Sequence, residues 1–121
     1  MIIYFSGLKD FINDFVQAAK DDEVEKRGYP KSSYGMSKLG VSMMTIIQQA
    51  ILEKDSRNII VNSCCPGLID TDMTGGKYPN AKPVDEGADT PTYLALLPDD
   101  VKEPRGKFCK LRTIHPYPPS E

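Results

Sequence analysis

Apolar residues recur at helical spacing in two segments of the chain. The first runs from residue 6 to residue 20, where Ser6 is a candidate N-cap. The second is the longest periodic stretch, from Ser33 to about Lys54, and its apolar content predicts a mostly buried helix. The residues predicted to face a core are Leu8, Phe11, Ile12, Phe15, Val16 and Ala19 in the first helix and Leu39, Met43, Ile46, Ile47, Ala50 and Ile51 in the second.

Strand patterns follow the second helix. A run rich in β-branched residues, NIIVNSCC, stops at Pro66 and Gly67 and predicts a buried strand of the parallel-sheet kind. Residues 68–83 contain many turn formers, and residues 84–97 are predicted to be helical with a kink at Pro91. The segment GKFCKLRTI, residues 106–114, is predicted to be a second strand, and the proline-rich HPYPPSE a disordered end.

The order of these elements is that of part of an α/β protein. A long helix followed by a buried strand is the second half of a right-handed βαβ unit. Such a unit also requires a strand before the helix, with which the later strand shares a sheet. Two strands cannot bury both faces of a parallel sheet. The sequence is therefore interpreted as the C-terminal part of a doubly wound (Rossmann-type) parallel-sheet domain, with the first βαβ half absent.

Charge and residue usage narrow the class of protein. A net charge of −2 argues against general nucleic-acid binding, which requires a basic face. No apolar run approaches the roughly 20 residues of a membrane span, and the first residues lack the features of a signal peptide. Cys64, Cys65 and Cys109 contain no CxxC spacing and predict reduced thiols in a cytoplasmic protein. The one histidine, His115, argues against a histidine triad or a multi-histidine metal site.

Two polar residues at the start of the long helix have a chemical interpretation. Tyr34 and Lys38 are four residues apart, so they share a helix face and can contact one ligand. The pKa of a phenol is about 10 in water, and a neighbouring ammonium lowers it by stabilising the anion. A tyrosine in that setting can give a proton to a carbonyl oxygen that gains negative charge, and recover it in the reverse reaction.

The spacing alone is weak evidence. Chance produces about half a Tyr-x-x-x-Lys match in a chain of this composition. A second match, Tyr78 and Lys82, lies in the turn-rich segment, where the spacing does not impose a common face. Taken alone, Tyr34 and Lys38 are better explained as a solvated pair on a helix. Their context changes this interpretation, because CCPGLIDTDM follows directly on the predicted strand.

The two stretches SSYGMSKLGV and CCPGLIDTDM, in that order, resemble the short-chain dehydrogenase/reductase family, and within it the carbonyl reductases. Those enzymes carry a Tyr-x-x-x-Lys helix followed by a strand that ends in Pro-Gly and by a threonine-bearing loop. The stretches EGADTPTYLALLP and GKF resemble the next part of the family pattern. The likeness covers about residues 8–111.

The resemblance implies an NADPH-dependent carbonyl reductase, which passes a hydride from the nicotinamide to a ketone, aldehyde or quinone carbon. Tyr34 would be the catalytic acid, and Lys38 would hold the nicotinamide ribose and favour the ionised tyrosine. Pro66 and Gly67 would bend the chain at the carboxyl end of the strand, where α/β proteins bind ligands. The other residues that the resemblance implies are Ile69, Asp70 and Thr71 for the cofactor, and Ser33, Leu68 and Met73 for the substrate.

Plain structural explanations stand beside these roles. Pro66 and Gly67 also fit an ordinary turn at the end of a strand, Thr71 a local cap, and Met73 simple packing. The sequence also contains no G-x-x-x-G-x-G or G-x-G-x-x-G turn for the pyrophosphate, and no serine on a convincing strand before Tyr34. The isolated chain is therefore expected to be inactive. The alternative is a non-catalytic truncated isoform or fragment that acts as an interaction module through an exposed strand edge.

The resemblance divides the chain into three parts of a single partial domain. Residues 6–27 are similar to the end of a helical insertion and its linker, a feature of monomeric members. Residues 33–111 would hold the catalytic helix, strand, cofactor loop, helix and last strand, and residues 112–121 a flexible tail. The expected partner is a small carbonyl substrate, with no nucleic acid or membrane. The parent enzyme is expected to be a monomer, whereas the isolated chain can self-associate.

Overall fold

The computed structural model describes residues 4–116, which form helices around a small sheet. The elements in chain order are α1 (Phe5–Lys20), α2 (Ser33–Leu52), β1 (Ser63–Cys65), α3 (Val84–Gly87), α4 (Asp89–Ala95), β2 (Phe108–Lys110) and β3 (Thr113–His115). α1 packs against α2, and both α2 and α4 pack against β1. The order of helices and strands follows the prediction, except that the last predicted helix is two helices and the last predicted strand is two strands.

The long helix α2 begins at the predicted residue, and Ser32 supplies its N-cap. The Ser32 Oγ accepts a hydrogen bond from the Gly35 N–H at 2.9 Å, which satisfies one donor of the first helical turn. A Cβ at position 35 would stand 3.0 Å from that oxygen, so the glycine leaves room for the cap. The predicted helix is confirmed, with its end at Leu52.

The face that α2 buries differs from the predicted one. Ile47 is buried as predicted, and Leu39 and Met43 are half-buried. The predicted core residues that are exposed are Ile46, Ala50 and Ile51, and the residues buried in their place are Met36, Ser42, Thr45 and Gln49. Burial of Thr45 and Gln49 is possible because the Thr45 hydroxyl donates to the Val41 carbonyl at 3.2 Å and the Gln49 amide is bonded at both ends.

The first helix, α1, also differs from its prediction. Tyr4 is the N-cap residue, and the predicted cap Ser6 is wrong because it already lies inside the first helical turn. The aromatic rings of Phe11 and Phe15 meet the ring of Tyr29 edge-on, with 5.7 and 5.5 Å between centroids. Since α1 packs against little more than α2 and this tyrosine, its buried strip is narrow. Of the predicted face, Phe15 is buried, Leu8 and Ile12 are half-buried, and Phe11, Val16 and Ala19 are exposed; Ala18 is buried instead.

The segment between α1 and α2 is tied back onto α1. The Arg27 guanidinium lies 2.9–3.2 Å from three carboxylates, those of Asp14, Asp21 and Glu23. The Tyr29 hydroxyl donates to Asp14 Oδ2 at 2.6 Å. These contacts hold the turn that leads into the cap of α2.

The sheet has the order β1–β2–β3 and mixes both kinds of pairing. β1 and β2 are parallel, as expected for an α/β protein, with Cys64 opposite Cys109. Only Ser63–Cys65 of the predicted strand NIIVNSCC joins the ladder. Before it, the Asn62 side chain takes part in strand pairing, because it accepts from the Lys107 N–H at 3.0 Å and donates to the Pro104 carbonyl at 2.9 Å.

The chain reverses inside the predicted second strand. Leu111 and Arg112 have φ angles of 51° and 58°, the positive values that a tight hairpin turn requires at both central positions. The segment 106–114 is therefore a hairpin of β2 and β3, not one strand. The predicted flexible tail from residue 112 is wrong for Thr113–His115, since these residues pair with β2. Residues 117–121 of that tail lie outside the described residues.

The predicted helix over residues 84–97 is two short helices. They are interrupted at Ala88, and Pro91 is the third residue of α4. A proline has no N–H to bond the carbonyl four residues earlier, here that of Gly87, so the helical hydrogen bonding stops there. The predicted kink at Pro91 is therefore a break, and α4 ends at Ala95.

One glutamine aligns α2 with the sheet. The Gln49 Oε1 accepts from the Val61 N–H at 2.7 Å, two residues before β1 begins. Gly106, two residues before β2, lies so close that a Cβ there would stand 2.9 Å from the Gln49 Cβ. The C-terminal end of α2 therefore lies at the start of both parallel strands. The rest of α2 packs on β1 and so extends toward the carboxyl ends of the strands.

The hydrogen bond from Tyr29 to Asp14 should make stability depend on pH. This bond, with burial and the Asp14 charge as further causes, raises the pKa of Tyr29 above its ordinary value of 10.0. A group whose pKa is raised by folding stabilises the fold fully below its unfolded pKa, and loses that effect as the pH rises through the folded pKa. Tyr29→Phe should therefore lower the urea midpoint at pH 7, and the deficit should shrink above about pH 10. Tyr78→Phe, at an exposed tyrosine, is the control; a deficit that does not change with pH would contradict the assignment.

Candidate active site

Tyr34 and Lys38 lie side by side on the first turns of α2. The Lys38 Nζ is 5.4 Å from the centroid of the Tyr34 ring, within reach of a cation–π contact. The tyrosine is 64% exposed, so its hydroxyl is open to a ligand. The common face predicted from the spacing is observed, and the catalytic role of the pair stays a prediction.

The second match to the spacing, Tyr78 and Lys82, is arranged differently. The Lys82 ammonium lies 2.9 Å from the Glu86 carboxylate, so an anion already compensates its charge. The Lys82 backbone also forms an isolated parallel bridge with Ile69. Lys82 therefore holds a loop in place, and it provides a matched comparison for Lys38.

Tyr34 and Gly67 lie at the same end of the sheet. A helix rises about 1.5 Å per residue, so the 15 residues from Tyr34 to Gln49 span about 22 Å. A strand rises about 3.3 Å per residue, so the 6 residues from Val61 to Gly67 span about 20 Å. Since Gln49 and Val61 are joined by a hydrogen bond, the Tyr34 turn reaches the level at which β1 gives way to Pro66 and Gly67. That is the end of a parallel sheet at which α/β proteins bind ligands.

The turn after β1 keeps its backbone accessible. Gly67 has a φ of 92°, a conformation that favours glycine. A Cβ at this position would meet nothing within 4 Å, so the space beside the backbone is open. Both Pro66 and Gly67 are exposed. A ligand can therefore approach the main chain here.

The loop beyond this turn is held from two sides. On one side, the Asp70 N–H donates to the Lys82 carbonyl and the Lys82 N–H to the Leu68 carbonyl, each at 2.9 Å. On the other, the Thr74 hydroxyl accepts from the Thr71 N–H at 2.8 Å and lies 3.1 Å from the Ile69 carbonyl. The backbone N–H groups of Asp70 and Thr71 are thus already bonded within the loop.

Ile69 anchors this loop to the rest of the fold. Its side chain is 7% exposed and packs against Gly87, where a Cβ would stand 2.8 Å from the Ile69 Cγ1. Its buried side chain therefore serves packing, which leaves the backbone for the predicted cofactor contact. The other residues predicted for the cofactor or substrate are exposed: Ser33, Leu68, Asp70, Thr71 and Met73, the last at 81%. Their binding roles stay predictions.

Sequence reasoning missed the residues that position this site. Ser32 caps the helix that carries Tyr34, and a serine directly before a periodic segment was the available signal. Thr74 closes the loop through a Thr-x-x-Thr spacing with Thr71, which had no recognised meaning. Gly87 and Lys82 act through contacts distant in sequence, so no local pattern marks them.

Two further observations concern metal sites and membrane-spanning helices. Among residues 4–116, no group of three or more His, Cys, Asp and Glu side chains is placed to hold a metal ion. Within the same range, no helix combines the length and the apolar character needed to cross a bilayer.

Comparison with known proteins identifies the family of this chain. The short chain dehydrogenase family matches residues 23–82, which include Tyr34, Lys38 and the loop after β1. The chain belongs to the short-chain dehydrogenase/reductase family, and its relatives within that family are carbonyl reductases. Membership implies the Rossmann-type fold to which the parallel β1–β2 pair conforms.

Three relatives illustrate the likeness. The chain is 39% identical over 112 residues to carbonyl reductase (NADPH) 3 of Rattus norvegicus, which covers 91% of this chain and 40% of that protein. It is 44% identical over 109 residues to carbonyl reductase (NADPH) 3 of Homo sapiens, covering 88% and 39%. It is 38% identical over 112 residues to carbonyl reductase (NADPH) 1 of Homo sapiens, covering 91% and 40%. The chain thus spans about two fifths of the length of the curated relatives that it matches.

The contact between Ile69 and Gly87 can be tested by a mutant cycle. Gly87→Ala should lower the free energy of unfolding in urea by about 1–3 kcal/mol, because the added methyl collides with Ile69. In an Ile69→Ala background, which removes the opposing atoms, the same change should cost far less. Gly40→Ala is the control, since its Cβ would meet only the end of the Ile12 side chain at 3.3 Å. An equal cost in both backgrounds would show that the contact does not hold the loop.

Proposed function

We propose that this chain supplies the catalytic helix and the nicotinamide-binding loop of an NADPH-dependent carbonyl reductase. The observation that carries the proposal is that Tyr34 and Lys38 lie side by side on the helix whose other end is bonded to Val61, just before β1. Each of the three relatives described above is named as an NADPH-dependent carbonyl reductase over a match that includes these residues. The substrate class is a ketone, an aldehyde or a quinone.

The residues present fit the nicotinamide–ribose end of the cofactor. The exposed Tyr34 and Lys38 offer a hydroxyl and an ammonium to ribose hydroxyls from one helix face. The open backbone at Gly67 leaves space for a flat ring at the end of the strand. Asp70 and Thr71 follow in the loop with exposed side chains, whereas the side chain of Ile69 is buried, so that residue would contact the cofactor through its backbone. The bound cofactor supplies the hydride that reduces the carbonyl carbon.

The protein's part in the reaction is proton transfer and orientation. The Tyr34 hydroxyl donates a proton to the carbonyl oxygen as negative charge builds there. The Lys38 ammonium stabilises the phenolate that this transfer leaves behind, because the two opposite charges lie close together on one face of the helix. Ser33, Leu68 and Met73 face the substrate. The exposure of Met73 suits a binding surface that closes only over a bound substrate.

Two parts of the reaction lie outside this sequence. The 121 residues hold no glycine-rich turn for the pyrophosphate. None of the serines up to Tyr34 lies on a strand: Ser6 is within α1, Ser32 is the N-cap of α2, and Ser33 is its first residue. Loss of one donor that stabilises the developing oxyanion costs on the order of a hundredfold in rate. The isolated chain is therefore inactive, and turnover requires the first βαβ half of the domain.

The side chains of α2 support a larger sheet. Val41, Met44 and Ile51 share one face of the helix, and they are 50%, 38% and 55% exposed. β1 lies at the edge of the sheet among the described residues. Both features favour further strands added beyond β1, with α2 packed across them, as a doubly wound domain requires.

A titration with NADPH tests the assignment of Lys38 and Tyr34. Nicotinamide fluorescence should show weak, saturable binding to the folded chain, and Lys38→Ala should weaken it by about tenfold, because a charged hydrogen bond contributes about 1.5–3 kcal/mol. Tyr34→Phe should weaken binding less than Lys38→Ala does, because it removes a neutral hydrogen bond and no charge. Lys82→Ala and Tyr78→Phe are matched controls, because these two residues have the same spacing in sequence. Neither substitution should change the affinity for NADPH.

Three outcomes would contradict the proposal. The first is an equal effect of Lys82→Ala and Lys38→Ala. The second is absence of binding to a sample shown by circular dichroism to be folded. The third is consumption of NADPH with a quinone by the 121 residues alone, which would show that no further polypeptide is needed.

A second candidate function is that of a non-catalytic interaction module. The specific observation in its favour is the edge position of β1 beside the exposed apolar face of α2. Such an edge can pair with a strand of another chain, and the apolar face can cover part of the contact. In this function Tyr34 and Lys38 have no chemical role.

Self-association distinguishes the interaction module from the reductase function. The apparent mass in size-exclusion chromatography should rise with protein concentration, and Ile51→Glu should reduce that rise because it places a charge in the apolar face. Val84→Glu is the matched control, since Val84 is 60% exposed on α3, away from that face. A folded monomer at every concentration would contradict the interaction module.

A further inference from the structure

Two of the three cysteines face each other across the parallel strands. In the register of β1 and β2, Cys64 lies opposite Cys109, and Cys65 lies opposite Lys110. Successive residues of a strand point to opposite faces, so Cys64 and Cys109 share one face of the sheet and Cys65 lies on the other. All three are free thiols in this structure. Neither the site nor the fold described above uses the pair.

The spacing of the strands suits a disulfide between Cys64 and Cys109. Neighbouring strands lie about 4.8 Å apart, so residues in register have their Cα atoms near that distance. Disulfides span Cα separations of about 4.4–6.8 Å. The adjacent residues Cys64 and Cys65 have Cα atoms only about 3.8 Å apart. The bridge across the strands is therefore the better geometry of the two.

The ladder around the pair holds this register. The Ser63 N–H donates to the Lys107 carbonyl at 2.9 Å, directly before Cys64 and Phe108. The Asn62 side chain bonds both Lys107 and Pro104. On the far side, Cys109 pairs with Ile114 in the antiparallel ladder. A slip of one residue would break these bonds, so Cys109 stays opposite Cys64.

The surroundings of the two thiols set the order of reaction. Cys109 has no exposed surface, whereas Cys64 is half-buried and can be reached from solvent. Burial raises the pKa of both thiols, and for Cys109 the neighbouring Cys64 adds to the increase. Only a thiolate attacks a disulfide, so both steps are slow at neutral pH, and Cys64 reacts first because of its access.

We propose that Cys64 and Cys109 form a reversible disulfide between β1 and β2 when the chain meets a small-molecule disulfide. The Cys64 thiolate attacks one sulfur of that molecule and forms a mixed disulfide, which releases the first small thiolate. Cys109 then loses its proton and attacks the Cys64 sulfur, which forms the protein disulfide and releases the second small thiolate. The two protein thiols lose two electrons in total, the small disulfide gains them, and the two protons pass to the released thiolates.

This disulfide would join the strands next to the candidate active site. Cys65 separates Cys64 from Pro66, so the link lies close to the turn that carries Gly67. It closes a segment that contains the whole loop after β1 together with α3 and α4. A covalent bond at this point ties the start of the loop to β2.

Peptide mapping of the oxidised full chain tests the pairing. The folded chain is incubated with hydroxyethyl disulfide, alkylated and digested with trypsin, which places Cys64 and Cys65 in peptide 58–77 and Cys109 in peptide 108–110. These two peptides should be recovered linked, with the alkyl label on Cys65. The label identifies the linked cysteine in the unaltered chain, so the result does not depend on a variant that folds. When the chain is oxidised in urea, Cys109 should no longer be linked to Cys64 in preference to Cys65.

Variants sharpen the result. Cys65→Ser is the matched control, because Cys65 adjoins Cys64 but faces the other side of the sheet; this variant should form the link as the unaltered chain does. Cys64→Ser and Cys109→Ser should lose it. A dominant bond between Cys64 and Cys65, a link that persists in Cys64→Ser, or no link in a folded sample would overturn the proposal.

The thermal midpoint provides an independent measurement. A disulfide that fits the native ladder constrains only the unfolded chain. The thermal midpoint of the oxidised form should therefore be roughly 5–10 °C above that of the reduced form. Treatment with dithiothreitol should restore the lower midpoint. Cys65→Ser should show the same shift. An oxidised form that melts at or below the reduced form would overturn the placement of the bond in the native sheet.

Discussion

The hydrogen bond between the Gln49 side chain and the Val61 N–H is the contact on which the arrangement of the site depends. It joins the C-terminal end of α2 to the residues just before β1, and the absence of a side chain at Gly106 lets β2 approach the same point. Because a helix and a strand have fixed rises per residue, this junction and the packing of α2 on β1 together determine where the other end of α2 lies. Tyr34 and Lys38 are carried to the carboxyl ends of the strands as a consequence.

The loop after β1 is positioned by contacts of another kind. Backbone bonds with Lys82, the hydroxyl of Thr74 and the packing of Ile69 on Gly87 fix its course, while Gly67 keeps its beginning open. They leave exposed side chains in the loop, which the proposed nicotinamide site would use. These 121 residues contain no glycine-rich turn for the pyrophosphate of the proposed cofactor.

The small sheet connects the exposed apolar face of α2 with the cysteine pair between β1 and β2. β1 has β2 on one side and lies at the edge on the other, and the neighbouring face of α2 exposes Val41, Met44 and Ile51. Apolar surface of this kind is stabilised when further structure covers it. The same short parallel ladder places two thiols in register, so the pairing that supports the turn at Gly67 also brings together the two cysteines of the proposed disulfide.

The sequence by itself determined the features that depend on neighbours along the chain. The long helix and the common face of Tyr34 and Lys38 follow from the helical repeat, and the end of β1 follows from Pro66 and Gly67. The family resemblance followed from two such local motifs in order. Only the tertiary structure decided which face of α2 is buried, that residues 106–114 form a hairpin, and that Cys64 lies opposite Cys109. Those features depend on contacts between residues distant in sequence, such as Asn62 with Lys107, which no local periodicity encodes.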